Sequence, residues 1–238
     1  MTNKNKQTLS AIILASEITK GMKSVGSKAL LPIYGSVTLI DYQIQSLKRF
    51  YNPIQIHICT GFDHEKIVKK TQKYKDIKYI YNKDYAIHNQ VDSLLLCLNK
   101  YNLNHALVIN NGVIMSQKII IDYNNTEIFT INSSKKIEFG IGCNIQDEHT
   151  NYLFYDLPNK WIECAFINTS VIKFLLEYSK IKDLSKLFLF EALNLVSENI
   201  HSLKTQQIDK TSAIKINTIK DLSRAKKYYE KYICSKQL

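Results

Sequence analysis

The sequence predicts an α/β protein with a doubly wound, mainly parallel sheet, joined to a smaller antiparallel β plus helical second half. Three observations predict it. Short apolar runs alternate with amphipathic segments over the first 124 residues, each run ends at a polar or glycine-containing loop, and beyond residue 124 strand-like runs follow one another closely. The alternation makes βαβ units, whose crossover helices leave consecutive strands parallel.

Residues 10–15 (SAIILA) form a short apolar run with β-branched residues, followed by a polar loop holding Gly21 and Gly26. Strand then loop is the expectation. Over 37–51, Ile40, Ile44, Leu47 and Tyr51 recur at helical spacing and Pro53 closes the segment. This is an amphipathic helix. Residues 54–60 (IQIHICT) alternate apolar and polar as far as Gly61, 63–72 make a helix, and 77–81 another strand. A helix over 91–98 and a buried strand over 106–109 follow, the latter entering Asn110-Asn111-Gly112. In the second half, 127–131, 137–145, 152–155 and 161–167 read as antiparallel strands, 170–179 and 183–196 as helices, 213–216 as a strand and 219–233 as a final helix. Ligands of doubly wound sheets sit at the carboxyl ends of the strands. Here those ends are the loop after Ala15, Gly61, residues 82–89 and 110–112.

Composition narrows the classes. A chain of 238 residues, 45% hydrophobic, can bury one sizeable core, and no Pro/Gly/Ser-rich linker divides it, so a single unit over 1–238 is expected. No run of 18 apolar residues is present to span a bilayer. The basic, polar start leads directly into a strand, unlike a secretion signal or transit peptide, and a cytoplasmic protein is expected. The five cysteines are odd in number and include no CxxC pair, which supports neither zinc nor a disulfide framework. Net charge is +11, yet Arg49 and Arg224 are the only arginines and the lysines are scattered, so specific nucleic-acid binding is not expected. The lysines from Lys215 to Lys236 read as a solvated helix face.

Several short motifs stand at predicted strand ends. The run AIILA is followed by a loop, by Lys28-Ala29-Leu30-Leu31-Pro32 and by Leu39-Ile40-Asp41-Tyr42-Gln43 opening a helix. Thr60-Gly61-Phe62 closes the second strand. Asn82-Lys83-Asp84-Tyr85 is followed by Asn89 and Ser93-Leu94, and Ile216-Asn217-Thr218-Ile219-Lys220-Asp221-Leu222 by Ala225. In this order they resemble the sugar-phosphate and choline-phosphate nucleotidyltransferases, whose patterns read roughly LAAGxGxRM, PKALL, PLIDYQI, TGY, NPxYxxTNxxxSL and IDTPEDLxxA. The resemblance covers most of the chain, with 124–205 matching only loosely. It implies a Rossmann-like nucleotidyltransferase fold with a nucleotide-binding half (1–124) and an acceptor-side half (125–238). The expected ligand is a CTP-like nucleoside triphosphate or a phospho-compound, with Mg²⁺ as cofactor if the protein is active.

The same resemblance supplies candidate residues. Lys28 matches the family lysine that contacts a phosphate in the transition state, against the plainer reading of an exposed loop lysine. Ala15, Ser16, Lys20, Gly61, Asn89 and Ser93 fall on the nucleotide side, although Asn89 and Ser93 also suit the first turn of a helix. Tyr85, Trp161 and Glu163 fall on the substrate side, the two aromatics as part of a quaternary-ammonium cage or simply as core.

Other positions depart from the family. Glu17 and Thr19 stand where it has loop glycines, and Gly21 where it has arginine. A carboxylate at Glu17 faces and repels the incoming phosphates, and a lysine such as Lys20 or Lys23 does not reproduce a bidentate guanidinium clamp. The metal-binding aspartates correspond to Asn111-Gly112, or to Asn110-Asn111 with a shift of one, and to Asn217. None is a carboxylate, so no metal ligand is assigned. Glu163 and Glu191 are the carboxylates available to rebuild such a site. No Ser/His/Asp or Cys/His triad can be assembled from the six histidines. Three functions therefore compete: a nucleotidyltransferase-like protein with a degenerate Mg²⁺ site, an active cytidylyltransferase, and a basic partner- or nucleic-acid-binding subunit.

Overall fold

The computed structural model describes residues 8–18, 26–132, 140–216 and 218–232. The chain runs β1 (Leu9–Ala15), a 3₁₀ turn (Lys28–Leu30), β2 (Pro32–Tyr34), β3 (Val37–Thr38), α1 (Leu39–Phe50), β4 (Ile54–Thr60), α2 (His64–Thr71), β5 (Ile77–Tyr81), α3 (Gln90–Tyr101), β6 (Ala106–Asn110) and β7 (Val113–Met115). It continues through β8 (Glu127–Asn132), β9 (Ile141–Cys143), β10 (His149–Thr150), β11 (Leu153–Tyr155), β12 (Asn159–Ile167), α4 (Thr169–Ile181), α5 (Leu189–Asn199), β13 (Leu203–Ile208), β14 (Ala213–Lys215) and α6 (Ile219–Tyr232).

The four strands expected to be neighbours are neighbours: β6, β1, β4 and β5 lie side by side and parallel. Side chains of a strand alternate between faces. Accordingly Ile12 and Leu14 pack with α3, α4 and α5, whereas Ala11, Ile13 and Ala15 pack with Ile40, Ile44 and Leu47 of α1. The second half extends the same sheet. Strand β12 runs antiparallel between β6 and β8, β13 pairs parallel with β8, and the order is β10-β13-β8-β12-β6-β1-β4-β5. Among the described residues, no helix is long and apolar enough to cross a membrane.

Two expected elements differ. The helix expected over 183–196 begins only at Leu189. Residues 185–187 give their carbonyls to the start of α3 instead: Ser185 O accepts from Asn89 N and Leu187 O from Val91 N. Carbonyls committed there are lost to a helix of their own. The helix expected from residue 37 is preceded by the short strand β3, and α1 starts at Leu39. Of the 137–145 strand, β9 covers 141–143, while 137–139 and Ile233 of the last helix lie outside the described residues.

Helix α1 is the clamp beneath the site. Asp41, fully buried, closes a capping box by accepting from the Thr38 N–H and hydroxyl, at 3.0 and 2.7 Å. It also accepts from Tyr74 and pairs with Lys70 and Lys73 at the far end of α2. Two residues along and on the opposite side of the helix, the Gln43 amide donates to the carbonyls of Asn110 and Val113, at 3.1 and 2.9 Å. That bond pair fixes the turn carrying Asn111 and Gly112.

Candidate functional site

The carboxyl end of β6, next to that of β1, lies beside the bulge of β12 and near the strand β14, and charged side chains converge there. Lys28, only 7% exposed, is held by the 3₁₀ turn whose first donor, Ala29 N, is capped by the Ser27 hydroxyl. Its ammonium lies 3.1 Å from the point where a Cβ on Gly112 would stand, and the Ile216 carbonyl oxygen lies 2.7 Å from that point. Burial pushes the Lys28 ammonium below its ordinary pKa, with Glu163 and Glu17 opposing the shift. A lysine kept from water in this way is not the exposed loop residue of the plainer reading.

Glu17 enters the same group. Burial raises its carboxyl, Lys28 pulls it back, Glu163 adds to the rise, and a hydrogen bond from Gln90 lowers it. The Gln90 amide is oriented by its other end, because Oε1 accepts from Leu189 N at 3.0 Å. Glu163 sits in the irregular stretch of β12 where the register with β8 shifts between Trp161 and Ala165. Its φ is +57°, a left-handed conformation that costs a non-glycine residue about 1–3 kcal/mol and that clusters at functional sites. The bulge re-aims the side chain onto Lys215, with which it forms an ion pair.

Lys215 corrects the sequence reading. It belongs to strand β14, with a side chain only 12% exposed, rather than to a solvated helix face. Lys160 is also drawn in: burial lowers its pKa, Lys215 adds to the fall, and Asp221 opposes it.

The remaining candidates are distributed as follows. Ala15 and Ser16 are buried at the end of β1, and the Ser16 hydroxyl is bonded to that of Ser93 at 2.7 Å. The Asn82 amide also donates to Ser93, so these polar groups tie strand ends to α3. Gly61 needs to be glycine, because a Cβ would meet Tyr85 Cβ at 2.5 Å and Ser16 O at 2.7 Å. Tyr85 is thereby held against the β4 end, its ring 6.4 Å from Phe62. Asn89 precedes α3 and its amide donates to Lys186 O, a structural use. Trp161 is 3% exposed and its indole N–H donates to Cys164 O, which puts it in the core rather than in an open cage. Glu191 caps the start of α5 through Phe188 N and is not brought to Lys28. Lys20 and Asn217 lie outside the described residues. Sequence reasoning missed Gln90, Lys160 and Lys215 as members of the site. A separate surface cavity of about 590 Å³, lined by Gln146, Asp147, His149 and Tyr152 among others, contains none of the candidates.

This arrangement of strands recurs in solved structures. A CTP:phosphocholine cytidylyltransferase from Streptococcus pneumoniae superposes with a TM-score of 0.75 at 19% identity, over 93% of this chain and 99% of that one. The fold is that of the nucleotidyltransferases. The inositol-1-phosphate CTP transferase of T. maritima gives 0.73 at 14% identity over 95% and 98% of the two chains. A UDP-glucose pyrophosphorylase complexed with UDP-glucose gives 0.70 at 11% identity over 94% and 99%. No family model and no curated protein sequence matches the chain significantly.

The nucleotidyltransferase fold implies a divalent cation, and the residues present do not fit one. The turn after β6 offers neutral Asn111 and Gly112, and the space beside Gly112 is taken by an ammonium. Among the described residues no group of three His, Cys, Asp or Glu is placed to hold a metal. Asn111, 5% exposed, keeps an Oδ1 that accepts no hydrogen bond among the described residues, an atom that water or a ligand ordinarily satisfies. Gly112→Asp is therefore expected to strain the turn rather than rebuild a metal seat, costing about 1–3 kcal/mol because the new Cβ meets backbone. An unchanged urea midpoint for that variant would show that the turn yields.

Proposed function

We propose that this chain binds a nucleotide or another phosphorylated compound through Lys28, and that metal-assisted nucleotidyl transfer by it is weak or absent. The observation that carries the reading is the buried Lys28 ammonium beside Gly112, where the resemblance leads one to expect a metal-binding carboxylate. A desolvated ammonium is a strong partner for phosphate oxygen, and charge-assisted hydrogen bonds of this kind are worth about 1.5–3 kcal/mol. Ala15, Ser16, Gly61 and Ser93 lie on the nucleotide side of this reading, and Tyr85 and Glu163 on the acceptor side. The odd cysteine count, without a disulfide framework, supports a cytoplasmic setting.

An active cytidylyltransferase, passing CMP from CTP to a small phosphorylated alcohol or sugar, is the second reading. It is favoured by the two carboxylates, Glu17 and Glu163, that do approach Lys28. Calorimetric titration separates the two, using CTP, UTP, GTP, ATP, phosphocholine and a hexose 1-phosphate, each with and without Mg²⁺. Binding that is indifferent to Mg²⁺ is expected. Binding that requires Mg²⁺ favours the active enzyme, and no binding at all favours a partner-binding subunit that uses the exposed lysines of α6, Lys220, Lys226 and Lys227.

A further inference from the structure

The cavity of about 590 Å³ formed by the 144–152 loop with Leu157 and Ser202 contains no residue of the Lys28 group. Small-molecule sites enclose about 300–1,000 Å³ and set a few convergent polar groups beside an apolar or aromatic surface. Both parts are present in this one loop.

The backbone of the loop is fixed. Asp147 and Glu148 make a two-residue hairpin turn at φ +48° and +63°, closed by reciprocal main-chain bonds between Gln146 and His149 at 2.9 and 2.8 Å. Positive φ at both central residues is what such a turn needs. The His149 ring donates back to Asp147 O at 2.7 Å. Strand β10 then pairs with β13, and Glu148 O accepts from Thr205 N at 2.7 Å. Past β10, the Thr150 hydroxyl donates to Tyr152 O, and the Asn194 amide bonds both the N–H and the carbonyl of Leu153, at 2.8 and 2.9 Å.

The side chains on this fixed backbone are uncommitted. Asn144, Gln146, Asp147, Asn151 and Tyr152 are exposed, and among the described residues none of these side chains donates or accepts a hydrogen bond. Three amides and a carboxylate thus offer donors and acceptors from one loop. Tyr152, 56% exposed, adds an aromatic face with a polar tip.

Charge narrows the class of ligand. The chain has 32 lysines and arginines, yet none lines this cavity, and its one carboxylate is Asp147. A phosphate would meet that carboxylate with no counter-charge from the lining. One carboxylate is also too little for a divalent cation, and among the described residues no group of three His, Cys, Asp or Glu is placed to hold one. A neutral compound with many hydroxyl groups fits. Each hydroxyl donates and accepts, an amide or carboxylate can engage two neighbouring hydroxyls, and the C–H face of a pyranose ring lies flat on an aromatic ring. We infer that this cavity binds a neutral hexose, free or as the end unit of an oligosaccharide, with Tyr152 as the stacking surface and Asp147 and the amides as hydroxyl ligands. The site is independent of the phosphate reading of Lys28.

Titration of the isotope-labelled whole chain with glucose, galactose, N-acetylglucosamine, maltose and glucose 1-phosphate, followed through its amide resonances, tests this. At least one neutral sugar is expected to shift the resonances of residues 144–152 with a dissociation constant of about 1 mM or tighter. Tighter binding of maltose than of glucose identifies the oligosaccharide end as the source, and the reverse identifies the free hexose. Glucose 1-phosphate is expected to perturb this loop no more strongly than glucose. Tyr152→Ala and Asp147→Asn are each expected to weaken the sugar by about 10-fold and Lys28→Ala to leave it unchanged. The replaced side chains make no hydrogen bond, so urea midpoints should not move. No shift of the 144–152 resonances by any neutral sugar, affinity unaltered by both loop substitutions, or a response to the phosphorylated sugar alone would overturn the assignment.

Discussion

Supplied with Mg²⁺, a nucleoside triphosphate and phosphocholine or a hexose 1-phosphate, the protein is expected to release pyrophosphate no faster than its Lys28→Ala variant. In nucleotidyl transfer, attack at the α-phosphate and departure of pyrophosphate concentrate negative charge at one centre, and a bound divalent cation offsets it by several kcal/mol. Here the turn after β6 presents Asn111 and Gly112, and the Lys28 ammonium fills the space beside Gly112. Glu17 stands in the same group, where an ionised carboxylate would oppose a triphosphate. Lys28→Ala is expected to weaken phosphate binding by about 10- to 100-fold, the equivalent of one charge-assisted hydrogen bond, without slowing a turnover that is already at background. Robust Mg²⁺-dependent pyrophosphate release by the unmodified protein, lost in Lys28→Ala, would falsify the degenerate-site reading and direct attention to Glu17 and Glu163 as metal ligands.

The second large effect is on stability. Asp41→Asn is expected to cost about 2–4 kcal/mol in chemical denaturation, because it removes a buried carboxylate that several donors and two lysines share. Burial alone pushes the Asp41 carboxyl up, but the bonds from Lys73, Thr38 and Tyr74 outweigh it and hold the group well below the ordinary carboxylate range. A carboxylate depressed in the folded state contributes stability above its unfolded pKa, and that contribution is lost as pH falls through the folded value. The variant should therefore be less stable than the parent at neutral pH, and its stability should fall less on acidification. Equal unfolding midpoints at pH 7 would show that Lys70 and Lys73 find other partners at no cost.

The first half of the fold was legible because its strands are unbroken apolar runs and α1 repeats its buried residues at helical spacing. Strand β13 was not legible. Its sequence LKTQQI buries Leu203 and Thr205 on one face, and with threonine as an inner residue the alternation does not register as hydrophobic. The helix expected over 183–196 was too long because Leu184, Leu189, Leu193 and Val196 are all buried. Apolar burial alone does not reveal that the carbonyls of 185–187 are already committed to α3.

At the site, the motifs singled out Lys28 and the altered turn, whereas Glu163 was a candidate only as a carboxylate in the loosely matching stretch 124–205. The partners of those residues were hidden. Lys215 and Glu163 are 52 positions apart and meet only through the β12 bulge, so nothing local in LysIleAsn or TrpIleGlu marks them as a pair. Gln90 likewise acquires its role from contacts with Glu17 and Leu189, neither of which is near it in sequence.

The 185–187 loop sits against part of the N-terminus of α3. A free helix N-terminus offers backbone donors and a dipole, an attraction that does not depend on any side chain's protonation. In this chain, the donors of Asn89 and Val91 are occupied by the 185–187 loop. What this helix does not give must come from ammonium groups, whose attraction, unlike that of a helix dipole, is lost on deprotonation. Occupancy of the site by an anion would thus weaken as pH rises through the lowered pKa of Lys28, with no movement of the backbone.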